Sequence, residues 1–256
     1  MLEVYQFPCL NDNYGFLIED KETGKVACID TPDGDEIIKM AKHFGLRIDE
    51  VWNTHGHNDH AGGNAKIKSE FGAIIRGPIE VKTRGHAIDE VIEAGGFLEL
   101  GASKARIINL AGHTLSQIGF VFEEENAAFV GDAIFVLGCG RLFEGTAEMA
   151  WAGISNFMQY SDEMHIYCAH EYSAANAKFC ESLGLSNPEL KARIEEIYSL
   201  SDEGIPTVPT QLGIERKTSP FLLADKEKLK NEIGLEKSSD LEAFAFIRKA
   251  KDVFKG

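Results

Sequence analysis

Ile48-Asp49-Glu50-Val51-Trp52-Asn53-Thr54 runs directly into His55-Gly56-His57-Asn58-Asp59-His60, and the junction of these two stretches decides how the rest of the chain is read. The first stretch is β-branched and aromatic and predicts a buried strand. Residues 61–71, rich in Ala, Lys, Ile and Glu, predict a helix. A strand that ends in polar residues before a helix marks the edge where open α/β sheets place ligand sites. His55 and His57, two apart in extended chain, point the same way and can grip one metal ion. Asp59 and His60, just past the bend, can face a second. Imidazole and carboxylate are the ligands expected for zinc, manganese or iron. Packing does not call for three imidazoles and a carboxylate within six residues, whereas a paired-metal site does.

Working outward, residues 2–7, 14–19 and 25–30 are short apolar runs separated by Asn11-Asp12-Asn13 and Lys21-Glu22-Thr23-Gly24. They predict antiparallel strands joined by turns. Residues 35–44 predict a helix with Ile37, Ile38, Met40 and Ala41 on its inner side. Residues 73–76 predict a strand, followed by an irregular stretch that contains His86. Strands are expected at 97–100 and 105–110, the second delivering Gly112-His113-Thr114. Residues 118–122 and 127–130 predict a hairpin ending at Gly131-Asp132. A helix at 148–160 and a strand at 164–169 lead to His170-Glu171-Tyr172. The three ligand types at these strand ends, His113, Asp132 and His170, are candidates to complete the site.

Beyond residue 172 the pattern changes. Residues 174–183, 188–200 and 241–254 predict helices separated by irregular, Pro-containing segments. Asn187 precedes Pro188 as a cap does, and Ser239 with Glu242 has the spacing of a capping box. Strand-rich alternation followed by helices places a boundary near residue 172, giving a metal-binding catalytic domain over 1–172 and a helical domain over 173–256.

The 256 residues, 44% hydrophobic and 26% charged, suffice for a substantial core without disulfides. A formal charge of −15 argues against a nucleic-acid surface. It also requires a local basic cluster wherever an anionic substrate binds. No run approaches the ~18 apolar residues of a membrane span, and residues 1–5 lack signal-peptide character. Cys9, Cys28, Cys139, Cys168 and Cys180 are scattered and form no C-x-x-C, which predicts buried thiols in a reduced, cytoplasmic protein. A monomer is expected.

Thr54-His55-Gly56-His57-Asn58-Asp59-His60 resembles the T-H-x-H-x-D-H signature of the metallo-β-lactamase superfamily. The resemblance implies an α/β fold, a four-layer αββα sandwich, with a smaller helical domain after it. It implies that His55, His57 and His113 hold one metal, that Asp59, His60 and His170 hold the other, and that Asp132 bridges them. Asp59 and Asp132 are then the catalytic carboxylates as well as ligands. His43, His86 and His165 fall outside the pattern and are read as surface or packing residues. Ala111 stands where many relatives carry Pro, a change in turn rigidity rather than ligation. Cys139 has no base placed beside it and is read as a small buried residue. Two metals about 3.5–4 Å apart lower the pKa of a shared water and polarise a carbonyl, so hydrolysis needs no serine or cysteine nucleophile.

Gly138-Cys139-Gly140-Arg141-Leu142-Phe143-Glu144-Gly145-Thr146 resembles the G-C-G-K/R-x-F/Y-E-G-T stretch of the glyoxalase II family, the hydroxyacylglutathione hydrolases. His170-Glu171-Tyr172 and the helical last third fit the same family. So does Ile247-Arg248-Lys249-Ala250-Lys251-Asp252-Val253-Phe254-Lys255, which resembles its closing R-x-x-K-D-x-F element. The resemblance implies hydrolysis of S-(2-hydroxyacyl)glutathione, with S-D-lactoylglutathione giving D-lactate and glutathione in methylglyoxal detoxification. It implies two divalent metal ions, zinc first, with iron or manganese as alternatives. Arg141, Phe143, Tyr172, Arg248 and Lys251 would surround the glutathione part. Phe143 stands where relatives often have Tyr, which removes a phenolic hydrogen bond. Arg248, Lys249, Lys251 and Lys255 form the basic cluster that the acidic chain requires, although the dipole of the last helix alone favours some of these cations.

Three other readings share these residues. A glutathione persulfide dioxygenase uses the same sheet with one iron, but that branch generally lacks the long helical C-terminus. A lactonase or other metal-dependent hydrolase is compatible with the central motif. A non-catalytic metal-binding domain would be expected to have lost Asp59 or Asp132, and both are intact.

Overall fold

The first three apolar runs pair as expected. β1 (Leu2–Cys9), β2 (Asn13–Asp20) and β3 (Lys25–Ile29) form an antiparallel meander, with Leu2 opposite Asp20 and Cys9 opposite Asn13. The computed structural model describes residues 1–255. These fall into two compact units, Met1–Asn109 with Ser116–Gly131, and Leu110–Leu115 with the chain from Asp132 onward.

In the first unit, α1 (Gly34–Phe44) follows the meander. Asp33 caps its N-terminus by accepting from the backbone N–H groups of Asp35 and Glu36, and Gly45 ends it in the left-handed region at φ 71°. Ile37 and Ala41 are fully buried against the sheet. β4 (Glu50–Trp52) then joins β3 in parallel. The predicted helix over 61–71 is instead two, α2 (Asn58–Ala61) and α3 (Asn64–Phe71). Gly62-Gly63 separates them, and the Gly63 N–H donates to the Thr31 carbonyl at 2.9 Å. A Cβ on Gly63 would lie 2.8 Å from that oxygen, so close backbone approach interrupts the helix here. β5 (Ile74–Gly77), α4 (Ile79–Thr83) and β6 (Glu90–Val91) follow, with β5 and β6 extending the parallel edge. The stretch around His86, expected to be irregular, thus carries a helical turn and a short strand.

β7 (Phe97–Leu100), β8 (Ser103–Asn109), β9 (Ile118–Phe122) and β10 (Ala127–Gly131) make the unit's second, antiparallel layer. Trp52, fully buried, stacks on Phe122 at 6.0 Å and tilts against Phe120 at 5.4 Å; Phe16 meets Phe129 edge-on at 5.6 Å. These rings fill the space between the layers. Burying each contributes roughly 1.5–3 kcal/mol, which fixes the end of β4, where the histidine motif begins.

The second unit opens with two short strands, β11 (Ile134–Phe135) and β12 (Gly138–Cys139), paired as a hairpin. α5 (Ala147–Phe157) is capped by Thr146, and β13 (His165–Cys168) leads to His170. α6 (Ser173–Ser182) and α7 (Pro188–Asp202) follow, α7 with Asn187 as its cap. The segment expected to be irregular holds β14 (Thr210–Gln211), α8 (Leu212–Thr218) and α9 (Glu227–Glu232). Glu215 of α8 is fully buried and accepts from the Leu137 N–H at 2.9 Å and the Thr210 hydroxyl at 2.8 Å, pinning the hairpin tip. The last helix, α10 (Asp240–Val253), starts with the predicted capping box of Ser239 and Glu242. It packs on α5 through Phe244 and Trp151, whose rings lie 5.5 Å apart. No helix among the described residues is long and apolar enough to cross a membrane.

Candidate metal centre

The first unit presents His55 and His57 on the bend between β4 and α2, and Asp59 and His60 within α2 itself. Beneath them sits Asp30, a residue the sequence reading did not single out. It directly follows β3 at φ 55°, in the left-handed region, and is buried. Its Oδ1 accepts from the Thr54 N–H at 2.7 Å, and its Oδ2 from the Thr54 hydroxyl at 2.7 Å and His60 Nδ1 at 2.8 Å. These bonds determine tautomers. A carboxylate only accepts, so His60 carries its proton on Nδ1 and a lone pair on Nε2, which stands 3.6 Å from Asp59 Oδ2. The Thr54 hydroxyl proton is likewise committed to Asp30. Its oxygen must therefore accept from His55 Nδ1, 3.1 Å away, which leaves the lone pair of His55 on Nε2. That Nε2 lies 3.1 Å from His57 Nδ1, and the His55 and His60 rings are 3.9 Å apart.

Further supports come from distant positions. Asn13 Nδ2 lies 3.3 Å from Asp59 Oδ2, and Asn53 donates to the His60 carbonyl at 2.8 Å. His86, set aside by the sequence reading, donates from Nε2 to the Gly56 carbonyl at 3.1 Å. Gly56 is required there, since a Cβ would lie 2.9 Å from the Glu80 carbonyl oxygen. His43 packs edge-on against Phe44 at 5.2 Å, and His165 lies in β13.

The second unit presents His113, Asp132 and His170 together. His113 Nδ1 donates to the Arg141 carbonyl at 2.7 Å, so its lone pair too is on Nε2. Nε2 lies 3.4 Å from Asp132 Oδ2, while Asp132 Oδ1 lies 3.3 Å from His170 Nε2. The glycines of the Gly138-Cys139-Gly140 stretch have a physical reason: a side chain on Gly140 would collide with the Asp132 carbonyl, and one on Gly138 with Asn176. All three residues of the triad are buried.

These donors fit divalent metal ions. They are imidazole nitrogens and carboxylate oxygens with no thiolate among them, and His55, His60 and His113 each have Nδ1 bonded outward and Nε2 left as ligand. Outer bonds of this kind orient metal-binding imidazoles and raise their basicity.

The residues expected to bind substrate also lie in the second unit. Phe143 is 62% exposed, with its ring 5.2 Å from that of His113 and 5.6 Å from the Arg141 guanidinium. Tyr172 stacks on His170 at 4.7 Å. Lys251 donates to the Ala175 carbonyl at 2.8 Å and lies over the rings of Phe179 and Phe254; burial lowers its pKa. Arg248 is only 6% exposed and donates to the Cys139 carbonyl at 2.5 Å.

Residues 15–156 match the model of the metallo-beta-lactamase superfamily, and residues 171–254 match that of the hydroxyacylglutathione hydrolase C-terminus. The chain is 45% identical over 254 residues to a hydroxyacylglutathione hydrolase of Erythrobacter litoralis (strain HTCC2594), covering 99% of this chain and 100% of that one. It is 43% identical to the protein of the same name from Hyphomonas neptunium (strain ATCC 15444), covering 99% of each. The crystal structure of ETHE1 from Myxococcus xanthus shares the fold, with a TM-score of 0.68 at 20% identity over 96% of this chain and 90% of that one. Signature, helical last third and full-length identity agree, and the chain belongs to the hydroxyacylglutathione hydrolase family of the metallo-β-lactamase superfamily.

Proposed function

We propose that the protein hydrolyses S-(2-hydroxyacyl)glutathione thioesters, S-D-lactoylglutathione among them, at two divalent ions. His55, His57 and His113 would hold one ion, Asp59, His60 and His170 the other, with Asp132 between them. The observation that carries this reading is the Asp132 carboxylate, whose two oxygens face different imidazoles at 3.4 and 3.3 Å. A carboxylate splayed between two histidines is suited to bridge a metal pair. When bound, such a pair lowers the pKa of a water and polarises the thioester carbonyl.

The protein's own groups do the rest. Asp30, Thr54 and the Arg141 carbonyl hold three imidazoles in the ligating tautomer. Tyr172 and Phe143 offer ring faces, and Arg141, Lys251 and Arg248 offer positive charge to the glutathione carboxylates within a chain of net charge −15. The helical segment from residue 173 onward would serve as the substrate-binding domain through Arg248 and Lys251, with Arg141, Phe143 and Tyr172 contributed from before it. Zinc fits the donor set, and buried thiols fit a reducing, cytoplasmic setting in which methylglyoxal is detoxified. Thioester hydrolysis measured together with metal analysis tests the reading. Two ions per chain at full activity is the expected result; oxygen consumption on a persulfide with one iron per chain would overturn it.

A further inference from the structure

The carboxylate of Asp252, to which the family resemblance gives no role, stands between two of the proposed substrate residues. Its Oδ1 accepts from Arg248 Nη2, one helical turn earlier, at 3.0 Å, and lies 3.6 Å from Arg141 Nε. The two guanidiniums differ in kind. The Arg248 side chain is 8% exposed and committed, with Nη1 on the Cys139 carbonyl and its carbon 5.5 Å from the Phe221 ring. The Arg141 side chain is 60% exposed. Asp252 is therefore anchored by a buried partner and turned toward a solvent-facing one.

We propose that Asp252 is a positioning residue that fixes the Arg141 guanidinium for substrate. An arginine presents two donor edges, one through Nε and one through both Nη atoms. Asp252 stands on the Nε side, which leaves the Nη edge to receive a second carboxylate in the bidentate manner. The glutathione part of the thioester supplies carboxylates, so this inference rests on the proposed function. Two physical consequences follow from removing Asp252. Arg141 regains the rotamers of a long solvent-exposed side chain, and ordering it on binding costs affinity. Arg141 and Arg248 also face each other as like charges without a shared counter-ion. The Asp252–Arg141 pair is exposed and contributes little to folding stability, so its loss appears in binding. Loss of the bond to the buried Arg248 is read separately in Tm.

The test is steady-state hydrolysis of S-D-lactoylglutathione by the metal-loaded wild type, Asp252→Asn, Arg141→Ala and the double variant. Asp252→Asn raises KM about three- to tenfold, the equivalent of ordering one long side chain, with kcat within about twofold. Asp252→Glu restores much of the loss. In the Arg141→Ala background, Asp252→Asn adds nothing further, because its effect passes through Arg141. This comparison also isolates the coupling should Asp252→Asn lower thermal stability. Additive effects on KM, or a fall in kcat at constant KM, overturn the assignment. A wild type inactive on the thioester removes the proposed function and this inference with it; an active wild type with additive variants removes only the role of Asp252.

Discussion

His60 Nδ1 lies 2.8 Å from Oδ2 of Asp30, thirty positions earlier, and the same carboxylate holds both the N–H and the hydroxyl of Thr54. One buried side chain directly after β3 thus determines the proton positions on two candidate ligands, His60 and His55. Asp30→Ala should lower metal affinity by about 10- to 100-fold, the usual cost of losing an outer partner of a ligating imidazole. Competition with a coloured chelator measures this. Affinity equal to wild type would mean that the imidazoles are oriented by something else.

Asp132 and Asp59 should separate in metal analysis. Asp132 faces both His113 and His170, whereas Asp59 faces His60. Asp132→Ala is expected to lower the content of both ions and abolish turnover. Asp59→Ala should loosen mainly one. Wild-type metal content and kcat in Asp59→Ala would remove it from the ligand set.

Arg248 and Arg141 should differ in what they do to stability. Arg248 is buried on the Cys139 carbonyl, so Arg248→Ala strands a buried acceptor and is expected to cost about 2–5 kcal/mol. For a chain of this size that lowers Tm by roughly 5–15 °C. Arg141→Ala, at an exposed side chain, should leave Tm within about 2 °C and act on KM. Differential scanning calorimetry of the two variants settles the contrast, and equal Tm values would contradict the buried clamp.

Asp20 supplies a pH dependence. Burial alone would raise its pKa, but hydrogen bonds from Thr23 and Ser103 outweigh it and hold the carboxyl well below the usual range. A folded-state pKa below the unfolded one stabilises fully above about pH 4 and loses that share as pH falls through the folded value. Asp20→Asn should therefore cost about 1–3 kcal/mol at pH 7, with the gap to wild type narrowing toward pH 2. Urea titrations at both pH values check this; a gap independent of pH would show that the charge is not responsible.

The parts of the molecule legible in the sequence are those whose cause is local. β1 to β5 announce themselves as apolar runs, and the caps of α7 and α10 fall where Asn187 and Ser239 predict. The candidate ligands were visible because three of them share one turn with His60. Long-range causes were not visible. Asp30 and His86 act on the motif from about thirty residues away, and Gly62-Gly63 breaks a helix because of Thr31. α8 was hidden by Glu215, a carboxylate that reads as surface but is buried on Leu137 and Thr210. Arg248 read as one cation of an exposed cluster, yet Asp252 and Cys139 draw it inside.

The five buried cysteines have a bearing on the proposed product. Burial pushes the Cys139 thiol up to about 11 and the Cys9 thiol to about 12, and raises Cys28, Cys168 and Cys180 as well. At neutral pH these thiols therefore remain protonated. Under the proposed function, glutathione disulfide formed by oxidation of the released product would exchange with a protein thiolate. The exchange takes one sulfur into a mixed disulfide and expels the other as glutathione thiolate, and an electrophilic aldehyde would alkylate the same thiolate. Both reactions require a reachable thiolate, so the protein can work in the midst of thiols and aldehydes while its own sulfur remains a spectator.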